Sequence, residues 1–395
     1  MAKISPNLVR RLPGIGWRQE ELDKRKAEIA DLRAQVRAAD KARAEQLRKA
    51  RAKIAKQATQ IERLKLKATP ANELNRVRTR SEKNASFAVL LSELRRLSVA
   101  ARSVDPDFTL PMRHLTLKLH NYRLAASHGV AVPDIYRVWA TREQIELSDL
   151  PEKFVIKSDG GASGKGVLPL IRVGADAFEL ADGTKTFSAE QVRSHLTQKS
   201  LKGPYFAEQF LDQPSGGAIP DDIKLYAFYG DVQMTLLRAV PEHAKLATMR
   251  RRYLAADGTD LGDVMPGATV DSNIAIPRDY AAMIEQAAHL SRAAGTAFVR
   301  VDFYQTGSGP VLGELTRAPG EPQLHAPSLD RAMGQAWDRA RLRLETDIAH
   351  GRPYGRLYGD HPAPNPYPKQ HWTHDPGHLA WAPREQPCGH WCRPG

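Results

Sequence analysis

Two stretches far apart in the chain hold residue types that together could handle a phosphorylated ligand. The first is residues 154–166, Phe-Val-Ile-Lys-Ser-Asp-Gly-Gly-Ala-Ser-Gly-Lys-Gly. An apolar run ends at Lys157 and opens into a loop holding Gly160, Gly161, Gly164 and Gly166, after which Val167 and Leu168 resume the apolar run. The pattern is strand, glycine loop, strand. Glycine lets backbone approach a ligand closely, and successive N–H groups in such a turn form an anion-binding concavity, with Lys157 and Lys165 as charges on either side. The loop is not a P-loop, because Gly166 follows Lys165 where Ser or Thr is needed and no helix comes next. A hairpin tip with solvated lysines fits the same residues. What favours a flap over phosphates is the second stretch.

In residues 298–316 a strand-like run, Phe298-Val-Arg300-Val-Asp302-Phe-Tyr304, precedes Gly313-Glu314-Leu-Thr316. Side chains on a strand repeat every second residue, so Arg300 and Asp302 share one face, and Glu314 and Thr316 share another. A hairpin can set Asp302 opposite Glu314. Two carboxylates so placed, with only Arg300 beside them, repel unless a metal lies between, and hard oxygen ligands next to a phosphate flap point to Mg²⁺. A surface pair held by arginines is the other reading, but Val301, Phe303 and Leu315 make these strands border a core.

The elements that must position these groups alternate in kind. Strands are expected at 154–157, 166–171 and 205–211, a helix at 189–198, a hairpin at 222–228 and 232–240, a helix at 279–294, and a last hairpin at 298–304 and 311–315. Upstream, 72–102 and 117–128 read as helices, the second stopped at Gly129 and followed by an extended segment from Val130. The pattern is α+β with mostly antiparallel pairing, without a dinucleotide fingerprint or an internal repeat.

With 395 residues the chain exceeds a single core, and no apolar run approaches membrane-spanning length or a signal-peptide core. Two cysteines, Cys388 and Cys392, give no disulfide framework and fit a reducing cytoplasm. The net charge of +13 is uneven: residues 1–70 hold 19 Lys or Arg against 8 Asp or Glu, an excess of 11. A nucleic-acid enzyme carries such charge around its active domain, so the excess bears on docking and no specific nucleic acid is expected. Residues 17–67 have no Gly or Pro and read as one long helix. Leu22, Ile29 and Val36, then Leu47, Ile54 and Ile61, recur every seven residues with an eleven-residue step between, a heptad plus a four-residue stutter, which fits a coiled coil joining chains. A single solvated helix fits as well, and its basic face could meet an anionic membrane surface or acidic polymer. From about residue 351 the chain is rich in Pro, His, Trp and Gly, and reads as a tail that wraps the surface or is poorly ordered. Cys388, His390 and Cys392, with His371, His374 and His378 upstream, suit zinc by type, although their spacing matches no common finger; free thiols in a loose tail is the other reading.

Taken in order, the 154–166 stretch, Ala207-Glu208-Gln-Phe-Leu211, Asp221-Asp-Ile-Lys224-Leu-Tyr-Ala-Phe-Tyr-Gly230 and the 298–320 stretch resemble the ATP-grasp superfamily, and within it the TupA-like proteins named for teichuronopeptide synthesis. The resemblance spans about residues 110 to 325 and is carried by the ordered series of motifs. It implies an ATP-grasp fold in which two α+β subdomains clamp ATP, with an N-terminal unit at 110–150, a lid at 151–212 and a core at 213–350. The basic coiled coil at 1–69, a helical linker at 70–109 and the tail at 351–395 complete the division of the chain, and the resemblance does not cover the coiled coil or the tail.

The resemblance also implies roles. Lys118 and Lys157 would contact phosphates, and the loop with Gly160, Gly161, Ser163, Gly164 and Lys165 would close over them. Glu208, with the backbone of Gln209, Phe210 and Leu211, would read adenine, and Asp222 would reach the ribose. Asp302, Glu314 and Thr316 would hold Mg²⁺, with Thr316 standing where most of the superfamily has Asn. Arg300 would steady the transferred phosphoryl group, and Lys224 and Arg238 would lie near the γ-phosphate or a substrate carboxylate. His243 and the run Arg250-Arg251-Arg252, in a loop between subdomains, are acceptor-site candidates, unless that run is merely solvated. The implied reaction joins a carboxylate to an amine through an acyl phosphate, in cell-surface glycan or peptide natural-product synthesis. A kinase acting on a sugar-like hydroxyl and a coiled-coil scaffold with a degenerate nucleotide site are the competing readings.

Overall fold

Residues 17–67 lack helix breakers, and in the computed structural model they lie in one helix, α1 (Ile15–Lys67), within a unit of its own spanning residues 1–80. The structure describes residues 15–67, 84–106, 109–161, 166–197, 201–214, 220–239, 249–320, 323–375 and 386–393. Exposed pairs such as Glu21–Arg25 and Glu45–Arg48 line α1 and add about 0.2–0.5 kcal/mol each. The heptad residues stay exposed on the single chain, from 49% at Ile29 to 64% at Ile54.

The second unit, residues 81–395, opens with α2 (Phe87–Val104), capped by the Ser86 hydroxyl, which accepts from the Val89 N–H. It covers the later part of the helix expected over 72–102, and residues 72–83 lie outside the described ones. The short α3 (Pro111–His114) leads to α4 (Lys118–Ser127), which stops where Gly129 takes φ +73°. Next come β1 (Ile135–Trp139), β2 (Lys153–Ser158), β3 (Val167–Gly174), β4 (Ala177–Leu180), β5 (Thr186–Phe187), α5 (Ala189–His195) and β6 (Tyr205–Gln209). These strands form an antiparallel six-stranded sheet in the order β1-β6-β2-β3-β4-β5. Val192 of α5 packs with Phe154, Leu170 and Phe178 in that sheet's own core.

The central sheet is built by β7 (Asp222–Ala227), β8 (Val232–Ala239), β9 (Arg250–Leu254), β10 (Val299–Thr306) and β11 (Gly309–Thr316), in the order β11-β10-β7-β8-β9, with α6 (Tyr280–Ala293) between β9 and β10. Alternation decides its two faces. Leu225, Val301 and Phe303 bury against Met283, Ala287 and Leu290 of α6. On the opposite face Tyr226 and Phe228 pack with Phe87 of α2 and Trp337 of α7 (Pro327–Ala349), and Phe298 stacks on Trp337 at 4.8 Å.

The structure departs from the sequence reading at four points. Arg250, Arg251 and Arg252 lie on β9, not in a loop, with Arg250 paired to Asp271 at 2.5 Å and Arg252 to Asp260 at 2.7 Å; His243 lies outside the described residues. The helix α7 was not expected at all; Gly334 within it lets the backbone of Ala85 and Ser86 come so close that a Cβ would sit 2.6 Å from it. The tail is not a loose wrap: β12 (Leu357–Tyr358) pairs in parallel with β13 (Gln386–Pro387), and Leu357, Tyr367, Cys388 and Cys392 are buried. Cys388 and Cys392 form a disulfide, where composition predicts none.

Candidate active site

The acidic hairpin comes first. In the β10–β11 register Asp302 faces Glu314 and Arg300 faces Thr316, as alternation predicts. The register then slips, so that Phe303 faces Leu312 and Gly313 is the extra residue. That bulge re-phases β11: Leu312 and Leu315 both bury in the core, while Glu314 remains opposite Asp302. Gly313 is required there, because a Cβ would lie 2.6 Å from the Tyr304 ring.

On the other side of β10, Asp302 is the register partner of Lys224 on β7. Lys224 Nζ lies 2.7 Å from Asp302 Oδ2 and 3.3 Å from Asp222 Oδ1, and Arg238 on β8 also pairs with Asp222. Arg300 grips Asp302 with two donors, Nε and Nη2, each at 2.6 Å, and Nη2 reaches the Thr316 hydroxyl at 3.4 Å. Thr316 in turn donates to Glu314 Oε1 at 3.0 Å. Burial pushes both Asp222 and Asp302 toward protonation, but the neighbouring cations outweigh it: Lys224 and Arg238 hold Asp222 down to about 2, and Arg300 and Lys224 keep Asp302 below its usual range. Burial works against the Arg300 charge, yet Asp302 raises its pKa overall. The site is a buried, ionised lattice.

The first sheet and α4 add two more cations, Lys157 and Lys118. Lys157 lies next to the end of β2 and is buried; its Nζ sits 2.5 Å from Glu208 Oε1 on β6 and donates to the Tyr122 hydroxyl at 3.0 Å. Tyr122, on α4, donates to Glu208 Oε2 at 2.9 Å, and burial and Glu208 push its pKa well up. Gln209 is bonded to the chain at Asp134, Phe210 is half-buried beside Lys153, and Leu211 is buried. Lys118, the first residue of α4, is buried and donates through Nζ to the Gly161 carbonyl. Gly160 is exposed; Ser163, Gly164 and Lys165 lie outside the described residues.

Three groups that sequence reasoning missed join the halves. Asp159, fully buried, accepts from the Leu119 N–H at 2.8 Å and from the Tyr367 hydroxyl at 2.8 Å, so it caps α4 from outside the helix. Burial drives its pKa up to about 6. Asn121 on α4 donates to the Leu315 carbonyl at 2.9 Å, tying the Lys118 helix to the acidic hairpin. Tyr304 lies in the field of Asp222, Asp302, Glu208 and Glu314, and burial with those carboxylates raises its pKa well above the usual phenol value. One phenol therefore senses acids from both sheets. Nothing in a single sequence marks the parts played by Tyr122, Asp159 or Tyr304, since each depends on partners far away in the chain.

The residues fit a divalent cation: Asp302 is ionised, Glu314 stands opposite it, Thr316 offers a hydroxyl, and carboxylates keep lone pairs beyond those that Arg300 and Lys224 engage. Comparison with known proteins then decides the family: TupA-like ATPgrasp matches residues 96–337, more than half of the chain. The chain belongs to the TupA-like ATP-grasp family. No curated protein matches it. Among solved structures, it is similar to a D-alanine–D-alanine ligase from Bacillus anthracis (15% identity, 60% of this chain and 71% of that one, TM-score 0.38). It is likewise similar to the ATP-grasp ligase PsnB (13%, 59% and 60%, TM-score 0.35) and to a RimK domain ATP-grasp protein from Sphaerobacter thermophilus (15%, 58% and 69%, TM-score 0.34). No described helix of this TupA-like chain is long and apolar enough to cross a membrane.

Proposed function

We propose that the chain is an ATP-dependent ligase that joins a carboxylate to an amine through an acyl phosphate. The observation that carries this reading is the cross-strand pairing of Asp302 with Glu314, with Arg300 and Lys224 bound to the same carboxylate. Mg²⁺ held by Asp302, Glu314 and Thr316 would neutralise phosphate charge. Lys118 and Lys157 bind phosphates, and the glycine loop covers them. Glu208 anchors Lys157, leaving the backbone of the 209–211 hinge to read adenine, and Asp222 takes the ribose.

Lys157, Lys118 and Lys224 each have an acid or carbonyl partner, so ATP binding would exchange partners and would not bury bare charge. Lys224, Arg238 and Arg300 then hold the acyl donor's carboxylate beside the γ-phosphate. A carboxylate oxygen attacks phosphorus and ADP leaves; the amine attacks the acyl carbon, phosphate leaves, and the amine gives up a proton. Closing the cleft matters because acyl phosphates hydrolyse in water. A role in surface glycan, peptide or natural-product synthesis follows from the family resemblance. The exposed heptad residues of α1 support self-association through a coiled coil.

The test is ADP release with Mg²⁺, ATP and a panel of carboxylates and amines, with hydroxylamine added to trap the activated acyl group. Release that needs a carboxylate and yields a hydroxamate supports the ligase. A stable phosphorylated hydroxyl compound would replace it with a kinase, and absence of ATP binding by calorimetry would leave only the scaffold.

A further inference from the structure

Away from the cleft, four potential soft-metal ligands meet in the core beneath α6: His128, His289, Cys388 and Cys392, with one ligand atom of each inside a span of 4.8 Å. They come from three separate places, the C-cap of α4, the middle of α6 and the C-terminal turn after β13. Both cysteines are buried. We propose that these four residues form a structural Cys₂His₂ zinc site that fastens the C-terminal segment to the core when the cysteines are reduced, the Cys388–Cys392 disulfide being its oxidised alternative.

The geometry of the imidazoles is the first argument. His289 Nε2 and His128 Nδ1 are in hydrogen-bond contact at 2.8 Å, and both nitrogens lie within 4.8 Å of the two sulfurs. His128 Nε2 lies 2.8 Å from the Leu357 carbonyl, which can only accept, so the proton belongs on Nε2. Nδ1 carries the lone pair that now accepts from His289 Nε2 and that a metal would take, His289 giving up its Nε2 proton for the Nδ1 tautomer. A ligating histidine whose other nitrogen is held by a backbone carbonyl is the usual arrangement around zinc. Zinc bonds of about 2.3 Å to sulfur and about 2.0–2.1 Å to nitrogen place tetrahedral ligand atoms about 3.3–3.8 Å apart, within the 4.8 Å limit that the four atoms share, so ligation requires the two imidazole nitrogens to part by roughly 0.5 Å from their 2.8 Å contact.

Charge is the second argument. Two thiolates and two neutral imidazoles cancel the charge of Zn²⁺, which suits an apolar core that would not accept a bare ion. Backbone support is in place as well: the Cys388 N–H donates to the Tyr358 carbonyl at 2.7 Å, and Arg292 Nε donates to the Trp391 carbonyl at 2.7 Å, fixing both ends of the turn that carries the sulfurs. Of the histidines near these cysteines in sequence, His390 is exposed and takes no part, while His128 and His289 come from more than 90 residues away.

The two states are related by a balanced exchange. A dithiol or glutathione-type reductant breaks the one S–S bond, delivering two electrons and two protons, and leaves as its own disulfide. Zinc then binds and the two thiol protons go to solvent.

The test uses the full chain, reduced with a phosphine, freed of reductant without oxygen, and titrated with Zn²⁺ and separately with Co²⁺. We expect stoichiometric zinc, thiolate-to-cobalt charge-transfer bands with tetrahedral d–d bands, and protection of both thiols from alkylation that a chelator reverses. His128→Asn and His289→Asn should each weaken binding by more than the roughly 10–100-fold typical of a lost supporting contact. His390→Asn should not alter it. The alkylation readout needs no variant, so a variant that fails to fold leaves the question answerable. The proposal is overturned if the reduced chain takes up no stoichiometric metal, if binding survives in the His128→Asn/His289→Asn double variant, or if the disulfide resists reduction in the folded chain.

Discussion

Asp159 offers the sharpest test of how the cleft is held together. Its carboxylate is buried at the start of α4 and its pKa is pushed from 3.8 up to about 6, burial outweighing the hydrogen bonds from Leu119 and Tyr367 and the charge of Lys118. The sign follows from proton binding. Between about pH 4 and 6 the folded chain keeps a proton on Asp159 that the unfolded chain has lost, so this group's contribution is full below its unfolded pKa and is lost as pH rises through about 6. A shift of about two units corresponds to about 3 kcal/mol at roughly 1.4 kcal/mol per unit. Asp159→Asn mimics the protonated form and keeps an acceptor for the Leu119 N–H. Urea denaturation of both proteins, followed by tryptophan fluorescence across that window, should show the variant gaining on the wild type as pH rises, by up to about 3 kcal/mol. Parallel profiles, or a wild type that gains as pH rises, would refute a buried carboxyl of raised pKa at this junction.

Lys157→Met leaves Glu208, 2% exposed, without its cation, and should cost about 3–5 kcal/mol in thermal or urea melts while abolishing ATP binding by calorimetry; adding Glu208→Gln should restore stability but not binding. Gly313→Ala drives a Cβ into the Tyr304 ring at 2.6 Å and should cost about 1–3 kcal/mol, with Mg²⁺-dependent ATP turnover falling further than stability because the bulge sets Glu314 against Asp302. Phe87→Ala removes a ring in contact with Tyr226, Phe228, Phe298 and Trp337, and should lower the melting free energy by about 3–5 kcal/mol. Ile29→Asp with Ile54→Asp should shift sedimentation to a monomer and leave ATP turnover unchanged; an unchanged sedimentation coefficient would remove the coiled-coil reading.

The parts of this protein that could be read from its residues are those governed by short-range rules. Alternation is a local property of a strand, so the faces of Arg300, Asp302 and Glu314 were legible, and so was the hairpin that pairs Asp302 with Glu314. The helix α1 was legible because fifty residues without a glycine or proline have few other options. Helix α7 escaped because Gly334 interrupts its pattern and charged residues alternate with apolar ones, and what makes it a helix is Trp337 seated among Phe87, Phe228 and Phe298, a tertiary cause.

The tail shows the same limit more severely. Its composition of Pro, Gly, His and Trp gives no period of 2 or 3.6, and such a segment reads as coil wherever it goes. Order there comes from single contacts across long separations: Tyr367 bonded to Asp159, 208 residues away, and Arg356 to His120, 236 away. Each contact is one polar group closing a buried hydrogen-bond requirement elsewhere, so the information is shared between two sites that look ordinary alone. The same reasoning applies to Asp159 itself. Its side chain was legible only as part of a glycine loop, yet it caps α4 beside Lys118 and bonds Tyr367 of the tail, because a helix N-terminus without a side-chain cap of its own must draw one from another element. A loop read for its ligand is here also a structural joint, and the two roles meet in one carboxyl group.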